Sequence, residues 1–193
     1  TQVRTIDELI ETAAFFSHIK PPKGDRIFVF SVSGGATVLA GDLAQDAGLN
    51  MPPISEKTDT ALQKILEIAH SFQNPMDVVG APRLAKGDNL TRVLNVLKAD
   101  PNYDLIAFVM VAQRELSDSH RKLQEQYQAV AEKSAKPIVL ISEMNWQPAE
   151  RPTPDGPFIS GTLDLGMKAL KSLVDFHAHQ QQNATQPRKR KTR

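Results

Sequence analysis

Three stretches of the chain are apolar almost without interruption: "RIFVFSV" (26–32), "DLIAFVMV" (104–111) and "KPIVLIS" (136–142). Such runs predict strands buried on both faces, because a half-exposed strand would alternate apolar and polar positions. "PMDVV" (75–79) and "PFIS" (157–160) are shorter strand candidates. Between the runs the apolar spacing changes to three and four residues, the period of a helix with one covered face. Thr5-Ile6-Asp7-Glu8 reads as a capping box, in which hydroxyl and carboxylate satisfy the first free amides. Leu9, Ile10, Ala13, Ala14 and Phe16 continue that stripe until Pro21-Pro22 ends it. Ala36 to Ala47 predicts a second helix, closed by Gly48. Ser55 can cap a third, along which Ala61, Leu62, Ile65, Leu66, Ala69 and Phe72 recur. Further helices are predicted over Leu90–Leu97, over Ser117–Lys133 with Leu123, Tyr127, Val130 and Ala131 on one side, and over Thr162–His177. The phenylalanines Phe15, Phe16, Phe28, Phe30, Phe72, Phe108 and Phe176 fall on apolar faces and read as core.

Alternating strands and helices imply a parallel sheet covered on both faces. The expected fold is α/β and flavodoxin-like, three layers around a parallel sheet of four or five strands. It divides into an N-terminal helix (1–20) packing on the domain, an α/β body (21–179) and a disordered basic tail (180–193). The tail is expected to be disordered because "HQQQNATQ" has no apolar period. No internal repeat or second core is visible.

Composition narrows the class. The 193 residues carry a formal net charge of +1, and five of the basic residues sit in "PRKRKTR". Without them the remainder has 1 − 5 = −4, which does not suit a nucleic-acid binder. A basic tail can touch RNA or anionic lipid, but a solvated chain end is the plainer reading. No stretch reaches the roughly 20 apolar residues of a membrane span, and the start "TQVRTIDELIETAAFF" lacks a signal-peptide pattern. With no cysteine there is no disulfide framework or thiolate metal site. A cytoplasmic setting and a protein that binds neither nucleic acid nor membrane are expected. A homodimer is compatible with the sequence.

In open parallel sheets ligands bind beyond the carboxyl ends of the strands. Those ends are Ser33-Gly34-Gly35, "GAPRLAKGD" (80–88), "AQRELSD" (112–118) and "EMNW" (143–146). Two glycines where a strand hands over to a helix would let an anion approach unpaired amides at the positive end of the helix dipole. Ser33, Gly34, Gly35, Ala36 and Thr37 therefore form a candidate phosphate cradle, with a ligand-free tight turn as the equal alternative. The dinucleotide fingerprint G-x-G-x-x-G and the P-loop are both missing. No G-x-S-x-G elbow surrounds Ser33, which argues against a serine hydrolase. His18, His70, His120, His177 and His179 lie in no catalytic or metal-binding motif. Glu115 and Glu143 stand just past strand ends, where solvated or capping roles are commoner than acid catalysis. Trp146, at the start of the proline-rich loop that continues over 147–157, is expected to pack under that loop. No metal site and no catalytic residue are assigned.

Several stretches together resemble a known family: "GDRIFVFSVSGGATVLAGDLAQDAGL", "NPMDVVG", "DPNYDLIAFVMV", "KPIVLIS" and "GPFISGTLDLGMKAL". Their order is similar to the CoA-ligase-type domain of NDP-forming acyl-CoA synthetases, relatives of succinyl-CoA synthetase and ATP-citrate lyase, over roughly residues 5–178. The family pattern is a strand, then S/A-G-G-x-G-V-L-x-x-D, then N-P-x-D-x-x-G. The resemblance implies an enzyme that converts acid, CoA and ATP (or GTP) to acyl-CoA, nucleoside diphosphate and phosphate through a phosphohistidine. "SGGATVLAGD" (33–42) matches one of the two helix starts that hold that phosphohistidine. The histidine itself, the CoA-binding domain and the ATP-grasp domain would lie elsewhere, in a longer polypeptide or another subunit. CoA, ATP and Mg are expected for the complete enzyme, and none bound tightly by this domain.

Thr37 departs from the pattern's glycine; it would either crowd the phosphate or donate one more hydrogen bond. Asp42 matches the motif's aspartate, expected one turn into the helix to orient the loop or cap an amide. Asn74 and Asp77 match N-P-x-D and shape the site or merely a turn. The start at Thr1 without methionine fits an excised piece, and the basic tail a natural C-terminal end. The competing reading is a non-catalytic regulatory module of the same fold that binds a nucleotide or acyl-CoA. A receiver-type signalling domain is disfavoured, because glycines stand where its acidic cluster would follow the first strand.

Overall fold

The computed structural model describes residues 2–110, 117–142 and 159–185. Its elements are α1 (Ile6–His18), β1 (Ile27–Ser31), α2 (Gly34–Asp46), α3 (Glu56–Leu66), β2 (Met76–Asp77), α4 (Ala81–Leu84), α5 (Asn89–Ala99), β3 (Leu105–Met110), α6 (Asp118–Ala131), β4 (Ile138–Ser142), β5 (Ile159–Ser160) and α7 (Leu163–Thr185). The five strands form one parallel sheet in the order β2-β1-β3-β4-β5. This is the flavodoxin-like order, and it bears out the three-layer α/β expectation.

The long strands are apolar throughout because each sends alternate residues to opposite layers. Phe28 and Phe30 of β1, Ile106 and Phe108 of β3, and Leu140 of β4 pack with residues of α3, α5 and α6. Ile27 and Val29, Leu105 and Ala107, and Val139 and Ile141 face Ala36 and Ala40 of α2, Met167 and Leu170 of α7, and Phe15 of α1. On the first face, Phe30 stacks on Phe108 with ring centroids 4.7 Å apart. Burying each such side chain contributes about 2 kcal/mol, so the central strands are fixed in depth and register.

Several helices depart from the sequence pattern. On α1 the inward face is Glu11, Thr12 and Phe15, not the expected stripe. Leu9 and Ile10 are exposed, and Glu11, 1% exposed, accepts a hydrogen bond from the Gly161 amide at 3.0 Å. Phe16 and Phe176 are not core residues; they meet edge to face at 5.2 Å, each more than a third exposed. α3 stops at Leu66 because Glu67 turns left-handed (φ 55°, ψ 47°). Phe72 still enters the core from beyond the helix, its amide held by Asp59 Oδ1 at 2.8 Å, whereas Ala69 is exposed. "APRL" inside the expected loop coils into the short α4. α7 runs on to Thr185, so residues 180–185 continue a helix where the pattern predicts disorder. Residues 186–193 lie outside the described residues. No helix among those described is long and apolar enough to cross a membrane.

Candidate functional site: the start of helix α2

β1 lies between β2 and β3, so the chain's path across the sheet reverses at the β1/β3 pair. Carboxyl ends of strands part at such a point and leave a crevice. α2 begins there, three residues past the end of β1.

Ser33 caps the helix in an extended conformation (φ −127°, ψ 124°), its Oγ accepting from the Ala36 amide at 3.4 Å. Its own amide donates to Ser31 Oγ at 3.1 Å. The Thr37 amide donates to the Ser33 carbonyl at 2.9 Å and closes the first turn. The Thr37 hydroxyl donates to the same carbonyl, also at 2.9 Å. Thr37 is 6% exposed, so its branched side chain lies within the domain and its hydroxyl is already committed. Neither outcome expected of it, crowding a ligand or donating to one, matches this placement. Of the five candidate cradle residues, only Gly34 and Gly35 carry amides with no hydrogen-bond partner among the described residues, and both glycines are exposed.

The two glycines have different causes. Among the described residues a Cβ at Gly35 would meet nothing within 4 Å, so none of their packing demands a glycine there. A Cβ at Gly34 would come within 3.0 Å of Asp77 Oδ2. Asp77 ends β2, and its Oδ1 accepts from the Val79 amide at 2.8 Å, a side-chain turn of the kind aspartate favours. The carboxylate thus sits against the first residue of α2, where the helix dipole favours negative charge. Val79 adopts φ 54° while 56% exposed. A β-branched residue in that region stores strain of the kind concentrated at functional sites.

Asn74 acts one step away. Its Oδ1 accepts from the Val29 amide at 3.0 Å, and its Nδ2 donates to Ile27 O at 2.9 Å and Pro52 O at 3.0 Å. β2 itself pairs only with Phe30 and Ser31. Asn74 therefore takes over the ladder below them and sets where Asp77 emerges. Asp42 does not join the site. It lies eight residues past Gly34, about 12 Å along the axis, exposed and without a hydrogen bond or ion pair among the described residues.

The remaining candidates do not converge here. His18 Nδ1 lies 2.9 Å from Ala14 O, His70 packs against Phe72, and His177 sits beside Phe176 within α7 rather than at its end. His120 Nδ1 lies 2.7 Å from Ser117 Oγ at the start of α6, and burial pushes its pKa down. Glu115, Glu143 and Trp146 lie outside the described residues. No group of His, Asp and Glu among those described is placed to hold a metal ion. The sequence reading missed the apolar rim of the site: Val38 is 64%, Leu39 50% and Val79 56% exposed. Two aliphatic residues directly after the cradle were the available signal.

No protein-family model matches the chain. Among curated proteins, the alpha subunit of acetate–CoA ligase [ADP-forming] II from Pyrococcus furiosus is 32% identical over 107 residues, covering 55% of this chain and 22% of that protein. Acetate–CoA ligase [ADP-forming] I from Archaeoglobus fulgidus is 25% identical over 109 residues, 56% of this chain and 15% of that protein. The chain thus spans less than a quarter of the length of these relatives. Among solved structures, PH0766 from Pyrococcus horikoshii OT3 superposes with a TM-score of 0.68 at 22% identity, over 90% of this chain and 40% of that one. The dinucleotide-forming acetyl-coenzyme A synthetase 1 of Ca. Korarchaeum cryptofilum, in its apo form, gives 0.70 at 16% identity, over 96% of this chain and 41% of that one. Sequence similarity and fold agree: the chain is a relative of one part of the ADP-forming acetate–CoA ligases, among the NDP-forming acyl-CoA synthetases that its glycine and N-P-x-D stretches resemble.

Proposed function

We propose that this chain is a domain of an ADP-forming acyl-CoA synthetase, and that the start of α2 receives a phosphorylated histidine carried on another part of that enzyme. The complete enzyme would join an acid to CoA at the expense of ATP. The observation that carries the reading is the pair of unpartnered, exposed amides at Gly34 and Gly35 beyond the end of β1.

Each residue's part follows from its placement. The Gly34 and Gly35 amides donate to phosphoryl oxygens at the positive end of the dipole. The space beside Gly35, open among the described residues, admits the incoming group. Ser33 and Thr37 hold the first turn rigid through the bonds at the Ser33 carbonyl and hydroxyl, so the amides need not reorganise when charge arrives. Val38, Leu39 and Val79 give the surrounding rim an apolar surface against which a second domain excludes water. The exposed Ile6, Leu9 and Ile10 of α1 give a further face for the partner domains, the CoA-binding and ATP-grasp units.

One observation opposes any phosphate at this spot, and so favours a regulatory module that binds its nucleotide or acyl-CoA elsewhere: the Asp77 carboxylate beside Gly34 places negative charge where a phosphoryl group would arrive. Amide NMR of the chain with phosphohistidine decides between them. Saturable shifts centred on Gly34 and Gly35, lost in Gly35→Glu and strengthened in Asp77→Asn, support the synthetase reading. A response to adenine nucleotide or acyl-CoA with none to phosphohistidine favours the regulatory module.

A further inference from the structure

A cavity of about 370 Å³ opens at the other end of the sheet, where β1, β3 and β4 begin. Four lysines line it: Lys23 ahead of β1, Lys98 at the end of α5, and Lys133 and Lys136 ahead of β4. The body of the chain is net acidic once the basic tail is set aside, so this concentration of cations is local.

The carboxylate in its wall is engaged chiefly by Arg26, though its field and that of Asp100 also reach Lys136. Asp104 is held in a two-pronged bond by Arg26, with Nε and Nη2 each 2.8 Å from a carboxylate oxygen. Lys136 is fixed in place, its Nζ donating to Asp100 O at 2.6 Å and Leu97 O at 3.1 Å. Burial pushes its pKa down, the sign of an ammonium short of solvent. The side chains of Lys23, Lys98 and Lys133 have no ion pair or hydrogen bond among the described residues. Ammonium groups gathered around one concavity repel each other, and an anion relieves that repulsion. The floor is apolar: the ring of Tyr103, 1% exposed, and Pro137.

We propose that this cavity is a second anion site, distinct from the start of α2, that takes a small metabolite bearing a phosphate or pyrophosphate group. Phosphate is favoured over a single carboxylate because it brings about two negative charges on one compact group to several point-charge ammonium ions. The volume suits a small phosphoester over its apolar floor.

The test is an amide NMR titration of the chain with sodium pyrophosphate, inorganic phosphate and citrate in parallel. Saturable shifts at Lys23, Lys98, Ala135 and Lys136 are expected, with pyrophosphate binding more tightly than phosphate. In Lys23→Gln/Lys98→Gln/Lys133→Gln the affinity falls about tenfold or more while the rest of the spectrum is unchanged. Should the triple variant lose its spectral dispersion, the three single variants decide, each weakening pyrophosphate binding. The proposal is overturned by the absence of a saturable response, by an undiminished response in the variants, or by shifts confined to Gly34 and Gly35. Citrate binding as tightly as pyrophosphate overturns the assignment to phosphate.

Discussion

Replacing Asn74 by alanine removes three hydrogen bonds that a helix or strand would otherwise have to supply. Its side chain accepts from Val29 N and donates to Ile27 O and Pro52 O. Val29 is fully buried, so its amide loses its partner where water does not reach. An orphaned buried donor costs about 1–3 kcal/mol, and the two carbonyls, which retain other acceptor capacity, add about 1 kcal/mol each. The expected loss is therefore about 3–5 kcal/mol, a large part of the 5–15 kcal/mol typical of a domain. Urea unfolding followed by far-ultraviolet circular dichroism measures it, as a lower midpoint at unchanged slope. Asn74→Asp separates the roles, for it keeps the acceptor but sets a carboxylate against two carbonyls. It is expected to be destabilised at least as strongly at pH 7. Hydrogen exchange should accelerate at Val29 in Asn74→Ala, and at Val78 in both variants, since β2 is then held to β1 mainly through Phe30 and Ser31. A loss below about 1 kcal/mol in both variants would refute the claim that Asn74 substitutes for strand pairing.

Three further outcomes follow from the same geometry. Val79→Gly relieves a backbone held at φ 54° and sacrifices little burial, as Val79 is 56% exposed. After the entropic cost of glycine the net gain is about 1 kcal/mol, a rise in Tm of roughly 2–4 °C; a fall in Tm contradicts the strain. The hydrogen bonds from Arg26 hold the Asp104 carboxyl below its usual range, so the folded state binds that proton less readily than the unfolded one. The stabilisation is complete above the ordinary carboxylate pKa of about 3.9 and drains away as pH falls below it. Asp104→Asn should flatten this acid limb and cost about 1 kcal/mol at pH 7, a modest value because the Arg26 side chain is 41% exposed. Parallel limbs in variant and parent would show that the pair is not the cause. Gly34→Ala, whose Cβ comes 3.0 Å from Asp77 Oδ2, should shift that carboxylate by a few tenths of an ångström and loosen its bond to the Val79 amide, speeding exchange there; unchanged exchange at Val79 would place Asp77 elsewhere.

The features legible in the sequence were those with one local cause. The runs around Phe28, Phe108 and Leu140 read as strands because both faces of each are covered. Ser33-Gly34-Gly35 read as a helix start because cap and glycines are adjacent in the chain. What stayed hidden depends on partners distant in sequence. Asp77 was named only through the N-P-x-D resemblance, and its place against Gly34, forty-three residues earlier, depends on the pairing of β2 with β1. α1 misled the pattern because Glu11, a charged residue, turns inward to meet the Gly161 amide, while Leu9 and Ile10 face out. Thr37 could not be judged locally either, since only the packed helix shows its hydroxyl turned back on the Ser33 carbonyl. The lysine cavity joins residues from three separate connections and one helix end, and no single stretch records it.

The most direct measurement is the rate of histidine phosphorylation from labelled ATP in this chain assembled with the CoA-binding and ATP-grasp domains proposed as its partners, comparing the parent with Gly35→Glu. The open space beside Gly35 lets the variant fold unchanged while setting a carboxylate where the phosphoryl group is to be held. Phosphohistidine formation should fall about 100-fold or more, at unaltered circular dichroism and assembly. A phosphorylation rate equal to the parent's would contradict the role assigned to the start of α2.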